Sequence, residues 1–208
     1  MNKIISKKQF SEKVFSFDIE APLIAKSRKA GNFVIIRVDN NSERMPLTIA
    51  DANLENGTIK LVVQKVGLSS TKLCNLNEGD YIADVVGPLG NPTHIENFGT
   101  VICAGGGVGV APMLPIIRAL KKAGNRVLSV LAGRNRDLII MEDEVRASSD
   151  ETIILLILFN DIFQRNVKTF ALKGLYKNDN LKLNTLGNDL ILELKDNLQK
   201  IGLDLAIF

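Results

Sequence analysis

Apolar and polar positions alternate in short runs over the first hundred or so residues. Lys3–Phe10 and Lys13–Ile19 alternate roughly. Phe33–Val38 (FVIIRV), Leu47–Ala50, Ile59–Val66 (IKLVVQKV) and Tyr81–Val86 (YIADVV) are β-branched and apolar. Turn-forming residues separate these runs at Asn40-Asn41, Asn56-Gly57 and Glu78-Gly79-Asp80. Strands at that spacing, with little helical periodicity, predict an antiparallel barrel or sandwich.

The rhythm changes at Thr100. Val101–Ala104 is a short apolar strand that runs into Gly105-Gly106-Gly107-Val108-Gly109. Ala111–Ala123 then carries Met113, Leu114, Ile116, Ile117 and Leu120 at helical spacing, with Gly124 as its stop. Arg126–Ala132 (RVLSVLA) reads as a second strand, Met141–Ala147 as an acid-led helix and Thr152–Phe159 as a third strand. Strand, glycine turn, helix, strand is the βαβ unit of a parallel sheet. The pattern therefore predicts two parts, an antiparallel β-barrel or sandwich of about a hundred residues followed by a parallel, nucleotide-fold-like α/β layer.

Composition adds exclusions. With 46% hydrophobic and 24% charged residues the chain is globular rather than disordered. Its 26 Lys+Arg and 23 Asp+Glu are scattered, which argues against nucleic acid as a partner, because phosphate backbones select clustered cations. Two cysteines, Cys74 and Cys103, and one histidine, His94, cannot make a four-thiolate or histidine-rich metal site, so no metal ligands are predicted. The opening MNKIISKKQF is too polar for a signal-peptide core. The longest apolar run, Ile153–Phe159, falls far short of the roughly twenty residues that cross a bilayer. A cytoplasmic protein with reduced thiols and no membrane contact is the expectation. All six prolines precede residue 116 and 13 of 16 glycines precede residue 153, so composition breaks near Glu151 and residues 152–208 are atypical.

Three segments carry candidate chemistry. Glycines between a strand and a helix let backbone approach a ligand, and the helix that follows offers free N–H groups to a phosphate. The run Gly105–Pro112 departs from the G-x-G-x-x-G fingerprint, with Val110 at the third glycine position. By itself it is equally a tight turn. Arg44-Met45-Pro46-Leu47-Thr48 sets a phosphate-binding guanidinium beside a hydroxyl at a strand start, although a lone Arg there reads as solvated. Gly67-Leu68-Ser69-Ser70-Thr71 follows a strand and fits either a self-capped helix start or a pyrophosphate cradle. Gly87-Pro88-Leu89-Gly90 is a rigid turn between the halves.

In this order, Arg44-x-Pro46-Leu47-Thr48, Val63-Gln64-x-Val66-Gly67-x-Ser69, Gly87-Pro88-Leu89-Gly90 and Ala104–Pro112 (AGGGVGVAP) resemble the ferredoxin–NADP⁺ reductase superfamily. Within it the sequence is most similar to small electron-transfer subunits, those of dihydroorotate dehydrogenase and of NADH-dependent ferredoxin–NADP⁺ oxidoreductase. Ala132–Glu144 fits the same group, and the resemblance covers about residues 1–150.

The resemblance implies an FAD-dependent oxidoreductase subunit that passes electrons between NAD(P)H and a larger partner subunit. It implies two domains, an N-terminal antiparallel β-barrel for FAD over residues 1–98 and a partial α/β parallel-sheet nucleotide-binding domain over residues 99–208. Arg44 would hold an FAD phosphate, with Pro46, Leu47 and Thr48 along the isoalloxazine. Gln64, Gly67, Ser69, Ser70 and Thr71 would serve the rest of FAD, the last four at its pyrophosphate. Gly105, Gly106, Gly107, Gly109 and Pro112 would face the nicotinamide dinucleotide, and Gly133 and Arg134 its adenosine half. Arg134 and Arg136 would meet a ribose phosphate if one is present; the subfamily favours NADH. The protein then orients nicotinamide against flavin for hydride transfer, with Thr48 the candidate to hydrogen-bond near flavin N5. Cys103 reads as a core residue and His94 as a surface or interface residue.

The family's further nucleotide-domain turn, its Gly-Pro strand end and the cysteines of its [2Fe–2S] centre have no counterpart after Glu151. Leu155–Phe163 and the ending Leu203–Phe208 stand there instead, as from a frameshifted or truncated product or a divergent tail. A non-catalytic flavin-binding or structural remnant is the alternative reading.

Overall fold

The computed structural model describes residues 1–158 and two short strands, Ala171–Leu172 and Leu205–Ile207. Most of the atypical 152–208 segment, including residues 159–163 of the LLILFNDIF run, lies outside the described residues. The chain divides into two compact units. One comprises Met1–Ile95 with Ala111–Ala119, and the other Glu96–Val110 with the residues from Leu120 onward.

The first unit is a nearly closed antiparallel barrel. Its strands are β1 (Asn2–Ser11), β2 (Val14–Glu20), β3 (Phe33–Arg37), β4 (Met45–Asn53), β5 (Thr58–Gln64), β6 (Tyr81–Ile82) and β7 (Asp84–Leu89), in the order β6-β1-β2-β5-β4-β3-β7. Alternation decides what each strand does, since successive side chains leave opposite faces. Val34 and Ile36 of β3 are fully buried, whereas Phe33, Ile35 and Arg37 between them keep partial exposure. On β4, Ile49 joins the same core and Met45 and Leu47 pack against it, leaving Pro46 exposed. Phe17, Ile19, Ile59 and Leu61 complete the centre.

The expected Tyr81–Val86 strand is two strands. Ala83 gives its N–H to the Val38 carbonyl (3.1 Å) and breaks the run, so β6 pairs with β1 and β7 with β3. A helix that the pattern does not announce, α1 (Pro22–Ser27), follows β2. Six residues are too few to display a 3.6 period, and its start is marked only by Pro22, whose missing N–H costs nothing there. Helix α2 (Leu68–Asn75) follows β5.

Buried Asn32 organises the turn before β3. Its Oδ1 accepts from the Lys29 amide (2.7 Å), and its Nδ2 donates to the carbonyls of Leu89 (3.2 Å) and Gly90 (2.9 Å). Asp51, at the far half of β4, accepts from Arg118 at 2.6 Å and stands 3.6 Å from Arg28.

The second unit is a twisted parallel layer. It contains β8 (Thr100–Gly106), the two ends of α3 (Val110–Lys122), whose stretch Ala111–Ala119 belongs to the first unit, then β9 (Arg126–Gly133), α4 (Glu142–Ser148), β10 (Glu151–Leu158), β11 (Ala171–Leu172) and β12 (Leu205–Ile207). The sheet order is β11-β10-β9-β8-β12, with β8, β9, β10 and β12 parallel and β11 antiparallel to β10. The predicted helices and strands over 100–158 are present within a residue or two. Asn125, buried after α3, bonds the Leu120 and Glu96 carbonyls (2.9 and 2.8 Å) and accepts from the Phe98 amide (2.7 Å). Among the described residues no helix is long and apolar enough to cross a membrane.

Replacing Asn32 by Ala should remove three hydrogen bonds, to the Lys29 amide and the Leu89 and Gly90 carbonyls, whose groups water can still partly reach, and cost roughly 1–2 kcal/mol. Urea unfolding of the variant beside the parent chain measures it; a loss below about 0.5 kcal/mol would contradict the role given to this side chain.

Candidate functional site

In the barrel unit the alternation that buries Leu47 and Ile49 turns Pro46 and Thr48 outward. β3 places Phe33 opposite Thr48 and Ile35 opposite Pro46, and β7 sets Val86 opposite Ile35. Together these residues make an apolar patch with one hydroxyl on the outer wall, suited to a flat aromatic ring. Leu47 is half-buried, with its side chain packed against the barrel core, while Pro46 beside it is exposed.

Arg44 stands at the foot of this patch. Asp84 takes Nε and Nη2 of Arg37 at 2.7 Å each, while Arg44 Nη2 is 3.9 Å away, with the Arg44 side chain 59% exposed. Both Arg37 bonds fall on Asp84 Oδ2, the oxygen nearest Arg44, so Arg44 is the looser partner and its guanidinium stays largely in solvent, where an anion can reach it.

At the end of β5, exposed Gln64 leads to the start of α2. Gly67 caps this helix, and a Cβ added there would meet nothing within 4 Å. The first amide to bond back within the helix is that of Thr71, onto the Gly67 carbonyl (2.9 Å); the amides of Leu68 to Ser70 precede it. Ser70 differs from expectation. Buried, its hydroxyl accepts from the Val66 and Gly67 amides (3.0 and 2.9 Å) and donates to the Gly67 carbonyl (3.0 Å). It shapes the helix start and has no capacity left for a ligand. Ser69 and Thr71 remain half-buried beside it.

In the second unit the glycine turn sits at the carboxyl ends of parallel strands, where ligands of such sheets bind. Gly105 and Gly106 still belong to β8 and lie opposite Leu131 and Ala132 of β9. A Cβ on Gly106 would come within 2.7 Å of the Ala132 carbonyl, so strand packing demands glycine there. Gly107 has φ +54°, and Gly107–Gly109 form a 3₁₀ turn that leads into α3. Positions 107 and 109 open on free space, and Pro112 is half-buried in the first turn of α3. Gly133 has a structural reason of its own: a Cβ would come within 2.7 Å of Ile139 Cδ1.

Beyond Gly133 and exposed Arg134, Glu142 is held by two arginines. Arg136 Nη2 lies 2.6 Å from its Oε2 and Arg146 Nε 2.8 Å from its Oε1. Burial alone would raise the Glu142 pKa, but the bonds from Arg146 and Arg136 outweigh it and hold the carboxyl below its ordinary range. Arg136, an expected phosphate partner, is thus engaged by a carboxylate it shares with Arg146. Met141 at the helix start has φ 55° and is buried, a strained conformation for a side chain of its size. Buried Cys103 lies within β8, where desolvation pushes its thiol up to about 11. Among the described residues no cluster of three or more His, Cys, Asp or Glu could hold a metal. His94 lines a shallow cleft of about 520 Å³ with Lys29, Ala30, Pro92, Thr93, Ile95 and Ala119, which includes none of the expected site residues.

No family model matches the chain. It is 46% identical over 154 residues to a Thermotoga maritima protein named dihydroorotate dehydrogenase B (NAD(+)), electron transfer subunit homolog, covering 74% of this chain and 55% of that one. A solved structure of an NADH-dependent reduced ferredoxin-NADP oxidoreductase, described for flavin-based electron bifurcation, superposes with a TM-score of 0.72 at 44% identity, over 74% of this chain and 56% of that chain. The chain has the ferredoxin reductase-like fold. Over the shared stretch it is a homologue of these electron-transfer proteins, and it spans a little over half of their length. Flavohemoglobin from Malassezia yamatoensis, solved with bound FAD and heme, matches at a TM-score of 0.60 over 98% of this chain and 57% of that one; at 17% identity it speaks for the fold alone.

Two outcomes are expected of these side chains. Glu142→Gln should lose about 1 kcal/mol at neutral pH, a modest figure because both arginines are half exposed and screened. A carboxyl whose folded pKa is depressed stabilises above its unfolded pKa of about 4.3 and loses that contribution as pH falls through the folded value. Parent and variant should therefore converge below about pH 4 in thermal melts, and a constant gap across pH would contradict the double ion pair. Cys103, and Cys74 with its raised pKa, should resist alkylation at pH 8 until the chain is denatured. Rapid labelling of the native protein, read by mass, would contradict their burial.

Proposed function

We propose that this chain is the flavin- and nicotinamide-binding part of an electron-transfer subunit, taking electrons from NADH through FAD to a larger partner subunit. The observation that carries the reading is the outward row of Arg44, Pro46 and Thr48, together with the open start of α2 in the same unit, on a chain homologous to named electron-transfer subunits. The residues suit the group. A ring fits against Pro46, Ile35 and Val86, with Thr48 as the hydroxyl donor. Phosphates fit Arg44 and the amides of residues 68–70, with the Ser69 and Thr71 hydroxyls beside them. Bound there, FAD supplies the two-electron chemistry, while the chain's residues orient it and neutralise its phosphates.

Gly107, Gly109 and Pro112 are proposed to border the dinucleotide, with Gly133 and Arg134 at its adenosine end. The pairing of Arg136 with Glu142 favours a nucleotide without an extra ribose phosphate, hence NADH over NADPH. Domain limits of 1–98 and 99–208 remain our working division for truncation, with FAD assigned to the first. The alternative, a non-catalytic flavin-binding or structural remnant, is not favoured, because the relatives are named electron-transfer subunits. Transfer to the partner by way of a [2Fe–2S] centre needs thiolates beyond Cys74 and Cys103.

Incubation with FAD, desalting and anaerobic titration with NADH tests the proposal. A retained flavin spectrum that NADH bleaches is expected. Absence of bound flavin would overturn the reading, and Arg44→Ala should weaken FAD binding about tenfold, the scale of one charge-assisted phosphate contact.

A further inference from the structure

The helix proposed to receive the FAD pyrophosphate is held at its other end by a lysine from a different strand. Lys7 of β1 sends Nζ to the carbonyls of Cys74 and Leu76, 2.7 Å each, at the last turn and C-cap of α2. Its ammonium also lies 5.4 and 5.8 Å from the ring centroids of Phe15 and Phe17 on β2. The Lys7 amide donates to Glu78 Oε1 (2.9 Å), and Ile4 exchanges bonds with Gly79 and Asp80, so β1 forms a socket around the chain that leaves α2. The helix's own cation, Lys72, points elsewhere, to Asp39 Oδ2 (3.1 Å) and Ser42 Oγ (3.3 Å).

A helix leaves its last carbonyls unpaired, and its dipole places negative potential there and positive potential at the start. For α2 the two ends have different partners. A fixed cation and two aromatic faces satisfy the C-terminal end, while the amides at residues 68–70 are left to an anion. Eight residues rise about 12 Å, more than a Debye length of about 8 Å at physiological salt. Direct attraction between Lys7 and a phosphate at the opposite end is therefore small. Whatever Lys7 does for the phosphate, it does by fixing the helix that presents the amides.

We propose that Lys7 is a positioning residue for the flavin pyrophosphate, anchoring the C-terminal end of α2 so that its N-terminal amides meet the phosphates. This rests on the flavin reading above. No sequence motif marks the residue; it precedes the nearest flavin-motif residue by 37 positions (44 − 7) and becomes legible only once β1 and α2 are brought together.

The test compares FAD with riboflavin, which shares the ring but lacks the phosphates, by fluorescence titration of the full chain carrying Lys7→Met, Lys7→Gln or Lys7→Arg. Near-UV circular dichroism checks folding; Lys7→Gln decides the matter should Lys7→Met not fold. Loss of FAD affinity by about five- to tenfold in the Met and Gln variants is expected, the scale of a helix-end charge in a partly buried setting. Riboflavin affinity should stay within twofold, Lys7→Arg should restore FAD binding, and the two ³¹P resonances of bound FAD should move in the weakened variants. Equal FAD affinity in parent and variants overturns the proposal. So does an equal loss for riboflavin, which signals a loosened barrel instead. A parent chain that binds no FAD overturns the flavin reading and this one together, so the two failures are distinguishable.

Discussion

The barrel wall is one residue thick, and its strands must place every second side chain inside. That constraint governs the rest of the first unit. Burying Val34, Ile36, Leu47 and Ile49 leaves Phe33, Ile35, Pro46 and Thr48 no choice but the outer surface, in register across β3 and β4. A slip of one residue would exchange the two sets, destroying core and outer patch together. Stability and the proposed flavin surface are therefore specified by the same pairing.

The second unit relies on a closer approach between backbones. β8 and β9 pair as far as Gly106 and Ala132, and only a residue without Cβ tolerates the Ala132 carbonyl at that point. The glycine run therefore does two jobs. Gly106 satisfies packing, while Gly107 and Gly109 face open space. A motif read from sequence as one ligand-binding unit separates, in three dimensions, into structural and available positions.

Much of this was legible in the sequence. Long apolar runs such as IKLVVQKV and RVLSVLA reveal strands because burial on one or both faces forces their composition, and the α3 periodicity was plain. What escaped has physical reasons. α1 is shorter than two helical turns, and the break at Ala83 depends on a carbonyl of β3's neighbour, Val38, far away in sequence. The site was legible as segments rather than as side chains. Leu47 belongs to the outward segment yet points inward, and Ser70 has the chemistry of a ligand but spends it on the helix start. Asn32, Glu142 and Lys7 carry no motif, because their importance lies in partners that folding supplies.

Asp51 illustrates a different consequence. One carboxylate serves Arg118 and lies within reach of Arg28, and burial disfavours the Arg28 charge while Asp51 supports it. Neutralising position 51 would remove the carboxylate that supports the Arg28 charge against its burial and against Arg118. A single acidic side chain on a barrel strand thus ties together two cations ninety residues apart in the chain (118 − 28).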